Sequence, residues 1–210
     1  MKKRRMRTIA VFSQKGGSGK STIGIHVSVE ASKSQKTALI DADGQGTGQA
    51  WASGRTKDEP AVVAGAPSTI RDLLASAEAE GYELAIVDCP PHINAGASEL
   101  VSVADLVVVP VQPTFPDMAA LNRALSVISA AGRPFVFVLN RADKRSPETR
   151  DAIETLSQVG PVCPEYFGDR KAFGRALSSG LAVCEFTSNH DDKAASEARG
   201  VYQWLMENMQ

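Results

Sequence analysis

The stretch Lys15-Gly16-Gly17-Ser18-Gly19-Lys20-Ser21 lies between an apolar run, Thr8-Ile9-Ala10-Val11-Phe12, and a segment from Lys20 to Ser32 that reads as a helix. Strand, glycine-rich loop and helix in that order aim backbone N–H groups at one point, and the helix N-terminus adds partial positive charge there. Phosphate is the natural guest. In this reading the backbone of Gly16, Gly17, Ser18 and Gly19 cradles phosphate oxygens, Lys20 reaches the β- and γ-phosphates of ATP, and the Ser21 hydroxyl binds Mg²⁺. The general pattern is G-x-x-x-x-G-K-[ST]; here Gln14 stands at its first glycine, and an additional lysine, Lys15, follows. A glycine turn that merely starts a helix is the competing reading, and it leaves the joint placing of strand, loop, Lys20 and Ser21 unexplained.

Outward from the loop, short apolar runs alternate with helical patterns. Thr37 to Asp41, Leu84 to Asp88, Leu106 to Val111 and Phe135 to Asn140 read as strands, with a weaker one at Ala61 to Ala64. Helical patterns cover Thr69 to Ala79, Met118 to Ala131, Pro147 to Gln158, Lys171 to Ser179 and Lys193 to Met209. Runs of Val, Ile and Leu without alternation suit strands covered on both faces. The alternation predicts a doubly wound α/β sheet, mostly parallel and flanked by helices, in one domain over residues 1–210. Ligands of such sheets bind beyond the carboxyl ends of the strands. Asp41 and Asp43, Asp88 and Asn140 all fall there, as does the glycine loop.

Composition narrows the function. The 210 residues are 43% hydrophobic and 22% charged, which supports a sizeable core and excludes a disordered chain. A formal net charge of -1 excludes a uniformly basic nucleic-acid binder, so any such contact must be a local patch. The cysteines Cys89, Cys163 and Cys184 are scattered and form no CxxC pair, which argues against zinc, iron–sulfur or disulfide frameworks. The basic start, Lys2 to Arg7, precedes too short an apolar run for a signal peptide, and no stretch reaches the roughly 18 apolar residues of a membrane span. A cytoplasmic protein is expected.

The K-G-G-x-G-K-[ST] loop resembles the deviant Walker A motif of the ParA/MinD ATPases, and the resemblance extends along nearly the whole chain. Thr37 to Gly46 (TALIDADGQG) resembles the family's switch I, with Gly44 where proline is common, a change that loosens the turn. Ala85 to Pro91 (AIVDCPP) is similar to its Walker B and switch II segment, Val138 to Arg141 to its adenine-reading strand end, and Arg170 to Glu185 to a late segment of small ParA proteins. The short stretch before the loop is similar to the small plasmid-type class. The resemblance implies ATP and Mg²⁺ as cofactors and assigns roles residue by residue. Thr22 would bind the α-phosphate; Asp88, and more weakly Asp41, would hold a Mg²⁺-bound water; Asp43 would orient the attacking water; Asn140 would read adenine. Lys15 would cross a homodimer interface and touch the second copy's phosphates, acting like an arginine finger.

It also implies a slow ATPase that dimerises with ATP, coats nucleoid DNA without sequence preference and positions a plasmid or other cargo, a ParB-like or other cargo-bound protein stimulating hydrolysis. Arg170, Lys171 and Arg175 fall in the stretch that resembles the DNA-contacting region, and the basic N-terminal residues would add to it. Plainer roles stand beside these: Asp41, Asp43, Asp88 and Asn140 as turn or capping residues, the cations as solvated surface charge, Cys89 as buried filler, His92 as a structural or surface residue. The membrane-bound branch ends in a basic amphipathic helix; here Val201, Trp204, Leu205 and Met209 follow without Lys or Arg after Arg199, so packing on the domain is expected instead. A metabolic or metal-handling enzyme on the same fold is the alternative function.

Overall fold

A computed structural model describes residues 5–91, 95–187 and 192–209. The expectations for Lys2, Lys3, Arg4 and His92 lie outside the described residues. The apolar runs become seven strands: β1 (Arg7–Val11), β2 (Thr37–Asp41), β3 (Ala61–Ala64), β4 (Leu84–Asp88), β5 (Leu106–Val111), β6 (Phe135–Ala142) and the short β7 (Phe167–Gly168). They form one sheet in the order β3-β2-β4-β1-β5-β6-β7, and every pairing is parallel. Residues of β2, β4 and β5 are buried along their whole length, as strands with both faces covered must be.

Strand order reverses at β1, which has β4 on one side and β5 on the other. This is the switch point at which doubly wound sheets open a crevice. The register then levels the strand ends: Asp88 pairs with both Val11 and Asp41, and Val111 pairs with Leu139, one residue before Asn140. Residues far apart in sequence thus reach one edge of the sheet together.

Helices cover both faces. On one side α1 (Lys20–Ser32) lies against the sheet beneath α9 (Lys193–Asn208), with α2 (Thr47–Ser53), α7 (Lys171–Ser178) and α8 (Val183–Phe186) around them. Val201 and Leu205 of α9 are fully buried, and Trp204 and Met209 pack on the same cluster. The apolar stripe of the last helix is therefore spent on the core, each buried side chain contributing roughly 1.5–3 kcal/mol. On the other side α3 (Ile70–Ala79), α4 (Ala95–Ser102), α5 (Phe115–Ala131) and α6 (Pro147–Ser157) complete the second layer. Among the described residues no helix is long and apolar enough to cross a membrane.

The sequence pattern did not predict α2, α4, α8 or β7. α2 lies between Gly46 and Gly54 with Trp51 and Gly48 as its buried residues, so it has no apolar period. Helix α5 begins at Phe115 rather than Met118, because Pro116 sits in its first turn, where a missing N–H costs nothing.

Candidate functional site

Beyond the carboxyl end of β1 the chain turns through the glycine loop into α1. Gly17 has φ 77° and Gly19 φ 109°, left-handed values that side chains disfavour, so glycine is needed at both. Gly19 is the N-cap of α1 and offers no side chain to the first turn, which leaves the helix's leading N–H groups to a ligand. Gln112, just past β5, donates its Nε2–H to the Gly17 carbonyl at 2.7 Å. A cavity of about 670 Å³ opens over this loop, lined by Gly16, Gly17, Gly19, Lys20, Ser21 and Thr22 on its floor. Asp43, Gln45 and Thr47 form one wall, and Asn140, Arg141, Asp169, Arg170, Lys171 and Phe173 the other. Ser18 is buried within the loop.

Lys20 is buried, and its Nζ reaches the Lys15 carbonyl at 3.4 Å. Burial lowers its pKa, opposed by the nearby charges of Asp88 and Asp43. Asp88 is 1% exposed and neither carboxylate oxygen has a hydrogen-bond partner. Burial pushes its pKa up to about 7; the Ser21 hydroxyl is close enough to favour the ionised form without completing a bond. An orphaned buried carboxylate beside a hydroxyl and a lysine is a site short of a cation, so Ser21 and Asp88 fit Mg²⁺ or its water shell. Asp41 differs. Its oxygens accept from Asp43 N at 3.2 Å and Gln49 N at 3.0 Å, so it braces the turn and the start of α2. Asp43 is half-buried at the cavity wall, its Oδ1 accepting from Gln45 N at 3.0 Å.

Lys15 stands at the rim. Its Nζ pairs with Asp117 of α5 at 2.6 Å, and Thr114 donates to the same carboxylate oxygen at 3.2 Å. Asp117 is buried while the lysine side chain remains 35% exposed. Beside the pair a shallow groove of about 430 Å³ is lined by Gln14, Pro116, Ala119, Ala120 and Arg123, and Phe115 stands exposed next to it. Sequence reasoning missed Asp117 and Gln112; their place just past a central strand's carboxyl end was the available signal.

Two further groups support the site. His26, fully buried one turn behind Thr22, donates Nδ1–H to the Thr22 carbonyl at 2.7 Å and meets the Phe167 and Phe173 rings edge-on. Burial lowers its pKa to about 4, so the ring is neutral. Arg55, after α2, donates to both oxygens of Glu185 at 2.9 and 3.1 Å and to the Gly180 carbonyl, and stacks on Trp51, which donates to Leu181 O. This clamp joins α2, which follows Asp43, to α8, which follows α7.

The basic residues do not form one free patch. Arg170 is held by Glu197 through contacts of 2.6 to 3.0 Å, whereas Lys171 and Arg175 are exposed on one face of α7, beside Phe186. Cys89 is buried, and Cys163 and Cys184 lie elsewhere, all with free thiols. Among the described residues no cluster of His, Cys, Asp and Glu could hold a metal by itself.

The model of the CobQ/CobB/MinD/ParA nucleotide binding domain matches residues 9–183 of the chain. The chain is 30% identical over 203 residues, 95% of its length and 94% of the relative's, to the maintenance of carboxysome distribution protein A of Gloeobacter kilaueensis. Against the chromosome partitioning protein ParA of Caulobacter vibrioides it is 28% identical, covering 87% of this chain and 84% of the relative. Its fold superposes on apo McdA of Cyanothece with a TM-score of 0.80 at 16% identity, over 95% of this chain and 99% of that one.

Proposed function

The chain belongs to the CobQ/CobB/MinD/ParA nucleotide-binding family, as an ATPase of the ParA/MinD type using ATP with Mg²⁺, and on that premise we propose that it positions a large cargo by cycling on and off DNA as an ATP-assembled homodimer. The observation that carries the reading is Lys15. It sits at the rim of the phosphate loop, partly exposed and held by a single acidic partner. From there it can leave its own subunit for the phosphates of a second copy.

Within one subunit, Lys20 and the N–H groups of Gly16 to Ser21 hold the β- and γ-phosphates, and Thr22 holds the α-phosphate. Ser21, and Asp88 directly or through a bound water, would hold Mg²⁺, and the ion when bound would supply positive charge against the negative charge of the transferring phosphoryl group. Asp43 orients a water against the γ-phosphorus. As the water oxygen bonds to phosphorus, the bond to the bridging oxygen breaks; ADP and phosphate leave, and the water's proton passes to solvent. Lys15 of the second copy neutralises charge on the transferring group. Hydrolysis is slow until an activating protein, ParB-like or otherwise cargo-bound, fixes this geometry. Asp41, its oxygens spent on backbone, serves to shape switch I rather than to bind the metal.

Lys171 and Arg175 are the better DNA contacts, with Arg170 available only by leaving Glu197. A cytoplasmic, nucleoid-associated protein follows from this. The relatives named for carboxysome distribution and for chromosome partitioning support positioning as the task; a protein assembly and a plasmid are the two cargo classes. Random duplex DNA is the test. Retention with ATP but not ADP, falling steeply between 50 and 200 mM salt, is the expected result. Binding that ignores nucleotide, or that Lys20→Ala retains in full, would sink the proposal.

A further inference from the structure

We propose that Gln112 is a positioning residue of the phosphate loop, acting through the Gly17 carbonyl and holding the loop in its phosphate-binding form whether or not Lys15 stays on Asp117. The inference rests on the nucleotide-binding reading of the same cavity and adds one residue to it. Gln112 follows β5, the strand beside β1 at the switch point, and its Nε2 donates to Gly17 O at 2.7 Å. The partner is a carbonyl, so only the amide nitrogen of the side chain can make this bond.

The loop has little else to hold it at this point. Among the described residues, Gly16 and Gly17 make no backbone–backbone hydrogen bond. Gly17 has φ 77°, and a Cβ built on it would meet nothing within 4 Å, so its glycine serves the turn of the backbone and not a close approach. The next carbonyl along, that of Ser18, accepts from Asn140 Nδ2 of β6 at 2.8 Å. Two neighbouring strands thus each send an amide to successive loop carbonyls. A third tie, Lys15 to Asp117, comes from the same segment after β5. It has to break when Lys15 crosses to a second copy. The Gln112 bond engages backbone alone and persists through that exchange.

The consequence follows from peptide geometry. Gly17 lines the cavity and Gln112 does not. The Gly17 carbonyl is therefore drawn off the phosphate side, where its lone pairs would repel an anion. In a trans peptide the C=O and the next N–H point in opposite directions. The same bond thus turns the Ser18 N–H toward the phosphate side, and no backbone acceptor among the described residues takes it. Successive N–H groups aimed this way make an anion-binding concavity. Without the bond the Gly17–Ser18 peptide is free to rotate, because glycine has other backbone wells open to it. Gln112 thereby raises phosphate affinity without touching phosphate.

The test uses Gln112→Met, which keeps length but removes the donor, and Gln112→Asn, which keeps the amide but falls short of Gly17. Affinities for ATP, ADP and inorganic tripolyphosphate, each with Mg²⁺, are measured by calorimetry on the full chain. In both variants all three ligands should weaken by a common factor of about threefold to tenfold, the worth of one neutral hydrogen bond. The Gly17 carbonyl carbon, read by NMR through the Ser18 amide, should move to lower frequency in Gln112→Met, as a carbonyl that loses a hydrogen bond does. Binding within about 1.5-fold of the wild type, weakening for ATP but not for tripolyphosphate, or an unmoved Gly17 carbonyl would each overturn the assignment. Should the variants not fold, the wild type decides. Its Gln112 side-chain amide should keep its hydrogen-bonded position in the ¹⁵N spectrum when tripolyphosphate binds, and a return to the free position would refute the assignment. Wild-type protein that bound neither ATP nor tripolyphosphate would refute the nucleotide-binding reading instead.

Discussion

The floor of the cavity and its rim are built on opposite principles. On the floor, polar groups are left without partners: the first turn of α1 has no side-chain cap, and both oxygens of Asp88 are orphaned. At the rim, along the wall and in the clamp outside it, charges are spent on the chain itself: Lys15 on Asp117, Arg170 on Glu197, Arg55 on Glu185. Unmade contacts at the floor are a store of free energy that a nucleotide with its metal releases on binding. Made contacts at the rim can act only by exchanging partners. One region is ready for a ligand; the other has to switch.

The largest effect should come from the floor. Lys20→Ala removes the buried cation facing the phosphates, and ATP affinity by calorimetry should fall about a hundredfold or more; a loss under tenfold would mean the backbone alone holds the ligand. Next comes the clamp between α2 and α8. Arg55→Ala strands Glu185, which is 8% exposed, and should cost about 3 kcal/mol in urea unfolding. A cost below about 1 kcal/mol would show that Lys57, 3.2 Å from the same carboxylate, carries the pair.

Behind the floor, His26 gives a pH signature. Its folded pKa of about 4 lies below the ordinary 6.5, so between these values the unfolded chain binds more protons. Its neutral burial is therefore harmless above pH 6.5 and becomes costly as the pH falls, by roughly 2 kcal/mol at pH 5. The groups facing it are the Thr22 carbonyl, the Phe167 and Phe173 rings and the Glu185 charge. Thermal midpoints of wild type and His26→Gln between pH 7 and 5 should converge on acidification; parallel curves would remove His26 from the account. The smallest effect belongs to the rim. Asp117→Asn frees Lys15, and ATP-dependent dimerisation by sedimentation should need about twofold to fivefold less protein, since a part-exposed pair is weak. A requirement for more protein would make the Lys15–Asp117 pair a support of the dimer surface.

The floor was largely legible in the sequence, because a left-handed turn, an apolar strand and a helix start each leave local marks at Gly17, Gly19, Val11 and Lys20. The parallel sheet was legible in the unbroken Val and Ile runs of β4 and β5. The rim was not. Lys15 could be singled out, but Asp117 lies 102 residues away and only the packing of α5 beside the loop brings them together. Asp41 and Asp88 look alike in sequence, each ending an apolar strand. Their difference appears only when hydrogen bonds are assigned: Asp41 has two backbone donors and Asp88 has none. α2 was invisible because a single buried tryptophan sets no period.

The central claim is that each active site is completed by a lysine from a second copy. Mixing two defective variants tests it directly. Lys15→Gln retains Asp43 but offers its partner no lysine; Asp43→Ala offers the lysine but cannot orient water. Each alone should be inactive in single-turnover ATP hydrolysis, and both should still bind ADP. In a one-to-one mixture, the mixed dimer has one site with its own Asp43 and a partner's Lys15, so hydrolysis should return to a fraction of the wild-type rate. A mixture as inactive as its components, with mixed dimers present, would show that Lys15 serves its own subunit and would contradict the account.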